Sequence, residues 1–370
     1  MNKRHWLLPE DIIELLPNQA AHIENLRRLF LDNTASWGYQ LLMPPLAEFL
    51  DSLLAGSENL DLQTFKITDR ISGRMLGVRA DFTPQIARID AHRLPTDAVS
   101  RYCYCGEVLR TKSESTVPRR NPLITGAELF GAESLDADIE VTALLIDTMQ
   151  KLGLKNSVLN LGHSGIFAGL VDLHRLNSEQ CRELRDVLVG LRRPDLHAWT
   201  QRRAFPSACI EDIRFLVDAP IAADILAALQ NQFAGRHKLF DRAIGDLIGI
   251  QKQLAIYFPE QKTALDISAI GTYGYHSGAI FSLYADGHYD AIARGGRYDG
   301  LGAVYGRARA ATGFSLDLLT LGEIVSNSNQ QKSPAKIDFP HSAEEFRQIQ
   351  NRRQNGEKIS FEYPQGTSND

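Results

Sequence analysis

A chain of 370 residues, 44% apolar and 23% charged, has the composition of a soluble globular protein and exceeds one typical domain, so one main domain with an insertion or a small appendage is expected. The formal charge of −5 argues against a general nucleic-acid binder. No apolar run approaches the roughly 20 residues of a membrane helix, and the start turns acidic and proline-bounded too soon for a signal peptide.

From Asn18 to Trp37, apolar Ile23, Leu26, Leu29 and Phe30 followed by Gly38 predict an amphipathic helix with a glycine stop. Tyr39–Leu42 reads as a short strand, broken at Pro44-Pro45 before a second helix. Thr64–Thr83 predicts two strands about a Ser72-Gly73 turn, and a helix starts at Pro84. Val99–Arg110 and Pro122–Ala132 are strand-like and are joined by the polar Thr111–Asn121. Alternation sets Tyr104, Gly106, Val108 and Arg110 on one face of the first, and Ile124, Gly126, Glu128 and Phe130 on one face of the second. Cys103 and Cys105 share one strand face and cannot easily bond each other. With Cys181 and Cys209 they lack zinc-finger spacing, so they read as reduced packing residues of a cytoplasmic protein.

A helix over about Asp136–Leu152 ends at Gly153, a strand follows at Ser157–Gly162, and mostly helical sequence runs to Pro259. Strands resume at Ala264–Ile270, Ala279–Ala285 and Tyr289–Gly296, and Ala311–Ile324 reads as the closing helix. The expected organisation is a core over 1–325 with a helical insertion at about 165–260, a polar linker at 326–334 and a small segment at 335–370. Hairpin-joined strands with helices before and within the run predict an α+β fold, an antiparallel sheet flanked by helices.

Four places carry candidate chemistry. Arg79, Asp81 and Thr83 leave a strand at alternate positions; Asp81 and Thr83 suit an ammonium group and equally suit a helix cap ahead of Pro84. Glu128 lies in an apolar strand, where burial demands a partner, although an open sheet face would leave it solvated. Arg297 and Tyr298 follow Gly295-Gly296, which permit close backbone approach to a ligand or form a tight turn; the spacing is not that of a phosphate loop. Ile267–Gly287 brings Tyr273, Tyr275 and His276 among glycines, with no carboxylate, lysine or arginine between Ile267 and Tyr284, which suits holding a small polar molecule. His92, His163, His174 and His197 are isolated and read as structural.

Together, "VRADFTPQIAR", "RYCYCGEVLR…GAELFGA", "YGYHSGAIF" and "ARGGRYDGL…TGFSLDLLTL" resemble, in order and spacing over about Leu7–Leu321, the catalytic core of histidyl-tRNA synthetase, a class II synthetase. The resemblance implies that Asp81 and Thr83 hold an α-ammonium, Glu128 and Tyr275 the imidazole edge and Arg110 the carboxylate of histidine, with His276, Arg297 and Tyr298 in the recognition segments. The nucleotide side departs from the family. Lys112 stands where the second class motif has glutamate, Thr320 where the third has its arginine, and Asp317 where a glycine makes room for the nucleotide. The arginine that promotes adenylation falls on Gly271, and its aspartate partner on Gly274. One missing preorganised donor costs about 10²–10³ in rate, so adenylation is not expected and no catalytic residue, metal or cofactor is assigned. The 49 residues after Leu321 are too few for the roughly 100-residue anticodon-binding domain, so tRNA is not expected as a partner.

The phrase "VRADFTPQIARI" is similar to the synthetase-like regulatory subunits of ATP phosphoribosyltransferase. That resemblance implies a homodimer within a hetero-octamer with the short-form catalytic subunit, which this chain activates in the first step of histidine biosynthesis, and histidine as a feedback effector. No membrane association is expected, because no apolar run is long enough to span one. The rival readings are a minimal synthetase that activates histidine with ATP and a stand-alone histidine-binding module.

Overall fold

The computed structural model describes residues 7–55, 58–113, 118–190, 206–218, 225–266, 276–325 and 334–363. Helix α1 (Pro17–Ser36) starts on a proline, which needs no amide partner there, and buries Ile23, Leu26 and Phe30 along one stripe. Gly38, at φ +83°, then turns the chain into β1 (Gln40–Leu41). Strands β2 (Ala47–Phe49), β3 (Phe65–Thr68) and β4 (Met75–Val78), with helices α2 (Leu50–Leu53) and α3 (Glu58–Gln63) between the first two, form a small antiparallel sheet in the order β2-β4-β3. Helix α4 (Thr83–His92) follows, then β5 (Ser100–Glu107), β6 (Leu123–Phe130), α5 (Leu135–Lys151), β7 (Ser157–His163), α6 (Ser164–His174) and α7 (Ser178–Gly190). Helices at Ser207–Asp218, Ile225–Phe233 and Lys238–Tyr257 complete the insertion, before β8 (Lys262–Leu265), β9 (Ala279–Ala285), β10 (Ala293–Arg297) and β11 (Ala311–Asp317).

The main sheet has eight strands in the order β1-β5-β6-β11-β10-β9-β7-β8. Its six central strands are antiparallel, as expected, but both edge pairs, β1 with β5 and β7 with β8, are parallel. Each edge pair is joined by a long connection containing helices, the kind of crossover that parallel neighbours require. The expectation for Ala311–Ile324 needs a larger correction: its first half is β11, at the centre of the sheet, and only Leu318–Ile324 is helical. The apolar residues there fit either period, and pairing with β6 and β10 on both sides selects the strand.

One face of the sheet, carrying Ala127, Leu129, Phe314 and Leu316, packs into the large core with Leu144 and Leu145 of α5 and Leu247 of the Lys238–Tyr257 helix. The other face is closed at one end by Phe82 and Ile86 from the start of α4, with Phe130, Tyr298 and Leu301. In the tail, β12 (Ala335–Asp338) and β13 (Ile359–Glu362) pair in parallel around the helix Ala343–Gln354, which a Ser342–Glu345 capping box starts. This two-stranded sheet is separate from the main one. The four cysteines are free thiols, and burial pushes Cys105 and Cys209 up to about 11.

Arg297 belongs to the helix-covered face. Its Nε donates to Asp138 at 2.9 Å, and its remaining nitrogens reach the carbonyls of Ala132 and Ser134 and the carboxylate of Asp299. Both members of the Arg297–Asp138 pair are buried, which ties β10 to the first turn of α5. Arg297→Ala should therefore destabilise the fold by about 3–5 kcal/mol, the cost of stranding a buried charge, read as a lowered midpoint in denaturant unfolding.

Candidate functional site

Alternation along five strands lays out the open face of the sheet in successive rows. Phe130, Ala311 and Tyr298 make an aromatic end wall, all buried. The next row runs Tyr102–Glu128–Gly313–Gly296–Ile280 across β5, β6, β11, β10 and β9. The row after it runs Tyr104–Gly126–Ser315–Arg294–Ser282, in which Tyr104 and Gly126 stay buried while Ser315 is half-buried and Arg294 is exposed. The cavity is thus walled at one end and open at the other.

The two central glycines make the floor. A Cβ at Gly313 would overlap Glu128 Oε2, and one at Gly296 would stand 2.8 Å from His276 Cδ2. Glu128 therefore lies flat over β11 and His276 over β10. Larger residues at either position would lift these side chains into the cavity.

Glu128 is 1% exposed. Thr83 Oγ1 donates to its Oε1 at 3.0 Å, Tyr104 OH to the same oxygen at 3.2 Å, and Tyr298 OH to Oε2 in a closer contact. These donors come from three separate segments: the start of α4, β5 and the turn after β10. Burial pushes Glu128 up to about 8, the hydroxyl donors pull the other way, and the nearby Asp81 carboxylate adds to the rise. Asp81 Oδ1 accepts the Phe82 amide at 2.7 Å, so this carboxylate does steady the start of α4, whereas the Thr83 hydroxyl serves Glu128. Among the described residues no lysine or arginine forms an ion pair with Glu128 or Asp81. Burial lowers His276 to about 4, so its ring is neutral at physiological pH.

The structure thus brings Asp81, Thr83, Glu128, His276 and Tyr298 to one cavity. Arg110 stands at its margin, with Nε donating to the carbonyl of Ala80 at 3.2 Å. Arg297 is not brought there, because its side chain leaves the opposite face toward Asp138. Tyr275, Gly271 and Gly274 lie outside the described residues.

Farther along the same face of β11, four residues from Gly313, Asp317 meets a cation that sequence reasoning did not assign. Buried Arg119 donates from Nη1 to Asp317 Oδ2 at 2.9 Å and to Thr320 Oγ1 at 3.3 Å, and from Nη2 to Glu323 Oε1 at 2.6 Å. Asp317 Oδ1 also takes the amides of Leu123 and Leu319, so the cluster joins β6, β11 and the Leu318–Ile324 helix. Two of the positions that depart from the synthetase pattern are therefore acceptors for one arginine. Tyr104 was also missed as a site residue, although its place on the face opposite Gly126 was legible from the period of β5.

The family model for histidyl-tRNA synthetase matches residues 11–321. An ATP phosphoribosyltransferase regulatory subunit from Marinomonas sp. (strain MWYL1) is 43% identical over 331 residues, covering 87% of this chain and 83% of the relative. The chain belongs to the ATP phosphoribosyltransferase regulatory subunits, built on the histidyl-tRNA synthetase core. Solved structures agree on the fold. One described as an ATP phosphoribosyltransferase regulatory subunit/histidyl-tRNA synthetase, from Bacillus halodurans C, superposes with a TM-score of 0.87 at 23% identity, over 100% of this chain and 96% of that one. A chain of an ATP phosphoribosyl transferase complex from Thermotoga maritima gives 0.63 at 16% identity, over 82% and 98%. No helix among the described residues is long and apolar enough to cross a membrane.

The proton on Glu128 has a measurable consequence. With its pKa near 8 in the fold and in the ordinary carboxylate range when unfolded, the ligand-free protein retains a proton that the unfolded chain has released. Stability from this group therefore falls as pH rises through that window. Glu128→Gln removes the titration, so the unfolding midpoint of the variant relative to wild type should rise from about pH 5 to about pH 8 and level off above that; a pH-independent difference would show an unperturbed carboxyl.

Proposed function

We propose that this chain is a non-catalytic, cytoplasmic regulatory subunit that holds free histidine in the Glu128 cavity and conveys its presence to a short-form ATP phosphoribosyltransferase catalytic subunit as feedback inhibition. The observation that carries the reading is the pair of carboxylates, Glu128 and Asp81, which face one cavity and, among the described residues, form no ion pair with a lysine or arginine. Such a site is stabilised by a ligand that brings N–H groups and positive charge, which an α-ammonium and an imidazole both supply. In this assignment Asp81 and Thr83 face the ammonium, Glu128 and Tyr275 the ring, and His276 and Tyr298 close the cavity around it. Arg110, which the resemblance assigns to the carboxylate, stands at the margin with its Nε on the Ala80 carbonyl.

The nucleotide side supports a holding role. Moving a phosphoryl group concentrates negative charge, and fixed cations must be free to meet it. Arg119 already has two carboxylate partners, and Asp317 and Thr320 stand where the synthetase pattern calls for room and for a cation. The name shared by relatives at about 40% identity supports a catalytic partner. The proposed assembly is a homodimer within a hetero-octamer. For histidine to act as an effector it must bind one arrangement of that assembly better than another, a coupling of about 1–3 kcal/mol in typical systems.

Calorimetric titration of histidine into the chain, alone and with the short-form catalytic subunit, should show binding in both cases and inhibition of the complex. Glu128→Ala should lose about tenfold or more in affinity while still activating the partner. Unchanged affinity in that variant would remove Glu128 from the pocket, and unchanged partner kinetics on mixing with wild type would leave a stand-alone binding module.

A further inference from the structure

The row beyond the glycine floor holds a cation that the reading above does not use. Arg294 sits on β10 in register with Ser315 of β11 and Ser282 of β9, and Ser282 is in register with Asn160 of β7. Alternation puts Arg294 on the face of Gly296, the cavity face, whereas Gly295 and Arg297 face the helices. Arg294 is exposed and makes no hydrogen bond or ion pair with any described residue. The carboxylate in the row beyond, Asp317, is already matched by Arg119. Arg110, at the margin of the cavity, has its Nε committed to the Ala80 carbonyl.

The spacing fits a small zwitterion. Glu128 lies over Gly313, and Arg294 is one strand across and one row along from Gly313, about 8 Å between Cα atoms from strand spacing and rise. A molecule the length of an amino acid with a ring spans that gap, ring toward Glu128 and carboxylate toward the open end. The serines on either side offer hydroxyl donors in the same row.

Building on the assignment of the cavity to histidine, we propose that Arg294, flanked by Ser315 and Ser282, is the anion-binding residue of the site and takes the α-carboxylate of the bound amino acid. Arg294 thereby sets the specificity for an amino acid over its decarboxylated amine. A planar guanidinium suits a carboxylate because it donates two parallel N–H bonds, and the half-closed cavity screens the pair less than bulk water does.

Calorimetry with the full chain tests this with two ligands, histidine and histamine, which differ in the carboxylate. Wild type should prefer histidine. Arg294→Ala should weaken histidine by about tenfold to a hundredfold while leaving histamine unchanged, and Arg294→Lys should recover part of the loss. Arg110→Ala should keep the preference for histidine. Equal weakening of both ligands in Arg294→Ala, no weakening at all, or loss of the preference in Arg110→Ala in place of Arg294→Ala overturns the assignment and leaves the histidine reading standing. Wild type that binds neither compound overturns both.

Discussion

A buried carboxylate that forms no ion pair among the described residues is the constraint around which the cavity is organised. Glu128 lies flat over Gly313, beneath an aromatic wall and within reach of three hydroxyls from separate parts of the chain. Hydroxyls satisfy its lone pairs without neutralising it, so the group stays poised between holding a proton and accepting a ligand's N–H. Charges that serve the architecture are paired: Arg297 of β10 with Asp138 of α5 on the opposite face, and Arg309 ahead of β11 with Asp90 of α4, are both buried ion pairs. The contrast separates the residues that hold the fold together from those proposed to meet a ligand.

The two ends of the open face have diverged in the same terms. At the walled end, the glycine floor and the donors around Glu128 form a shaped polar cup. At the other end, Arg119 is drawn onto Asp317, Thr320 and Glu323, so cation and anions there satisfy one another. A positive charge neutralised in this way has little field left for a polyphosphate, and removing it would leave the carboxylate of Asp317 half-buried. A site of this kind is suited to binding and to passing on the presence of its ligand, which is what a regulatory subunit requires.

Much of this was legible in the sequence, for identifiable reasons. Period-two alternation placed Glu128 with Gly126 and Phe130, and the spacing of Asp81 and Thr83 before Pro84 placed them at the entrance to α4; both hold in the structure. Ala311–Ile324 misled because a run of leucines and phenylalanine satisfies a buried strand and a helix alike, and only pairing with distant strands decides between them. Arg297 misled for a related reason: two glycines and an arginine suggest a ligand turn, yet the segment continues as a strand and its parity turns the guanidinium to the other face. Arg119 gave no local signal, because its partners lie about 200 positions away along the chain.

The central claim is that this fold keeps a cup for histidine and lacks the machinery to activate it. Histidine-dependent exchange of labelled pyrophosphate into ATP, measured with the chain alone at saturating histidine and magnesium, tests that claim most directly. The account predicts no exchange above a protein-free control; sustained, histidine-dependent exchange would contradict it.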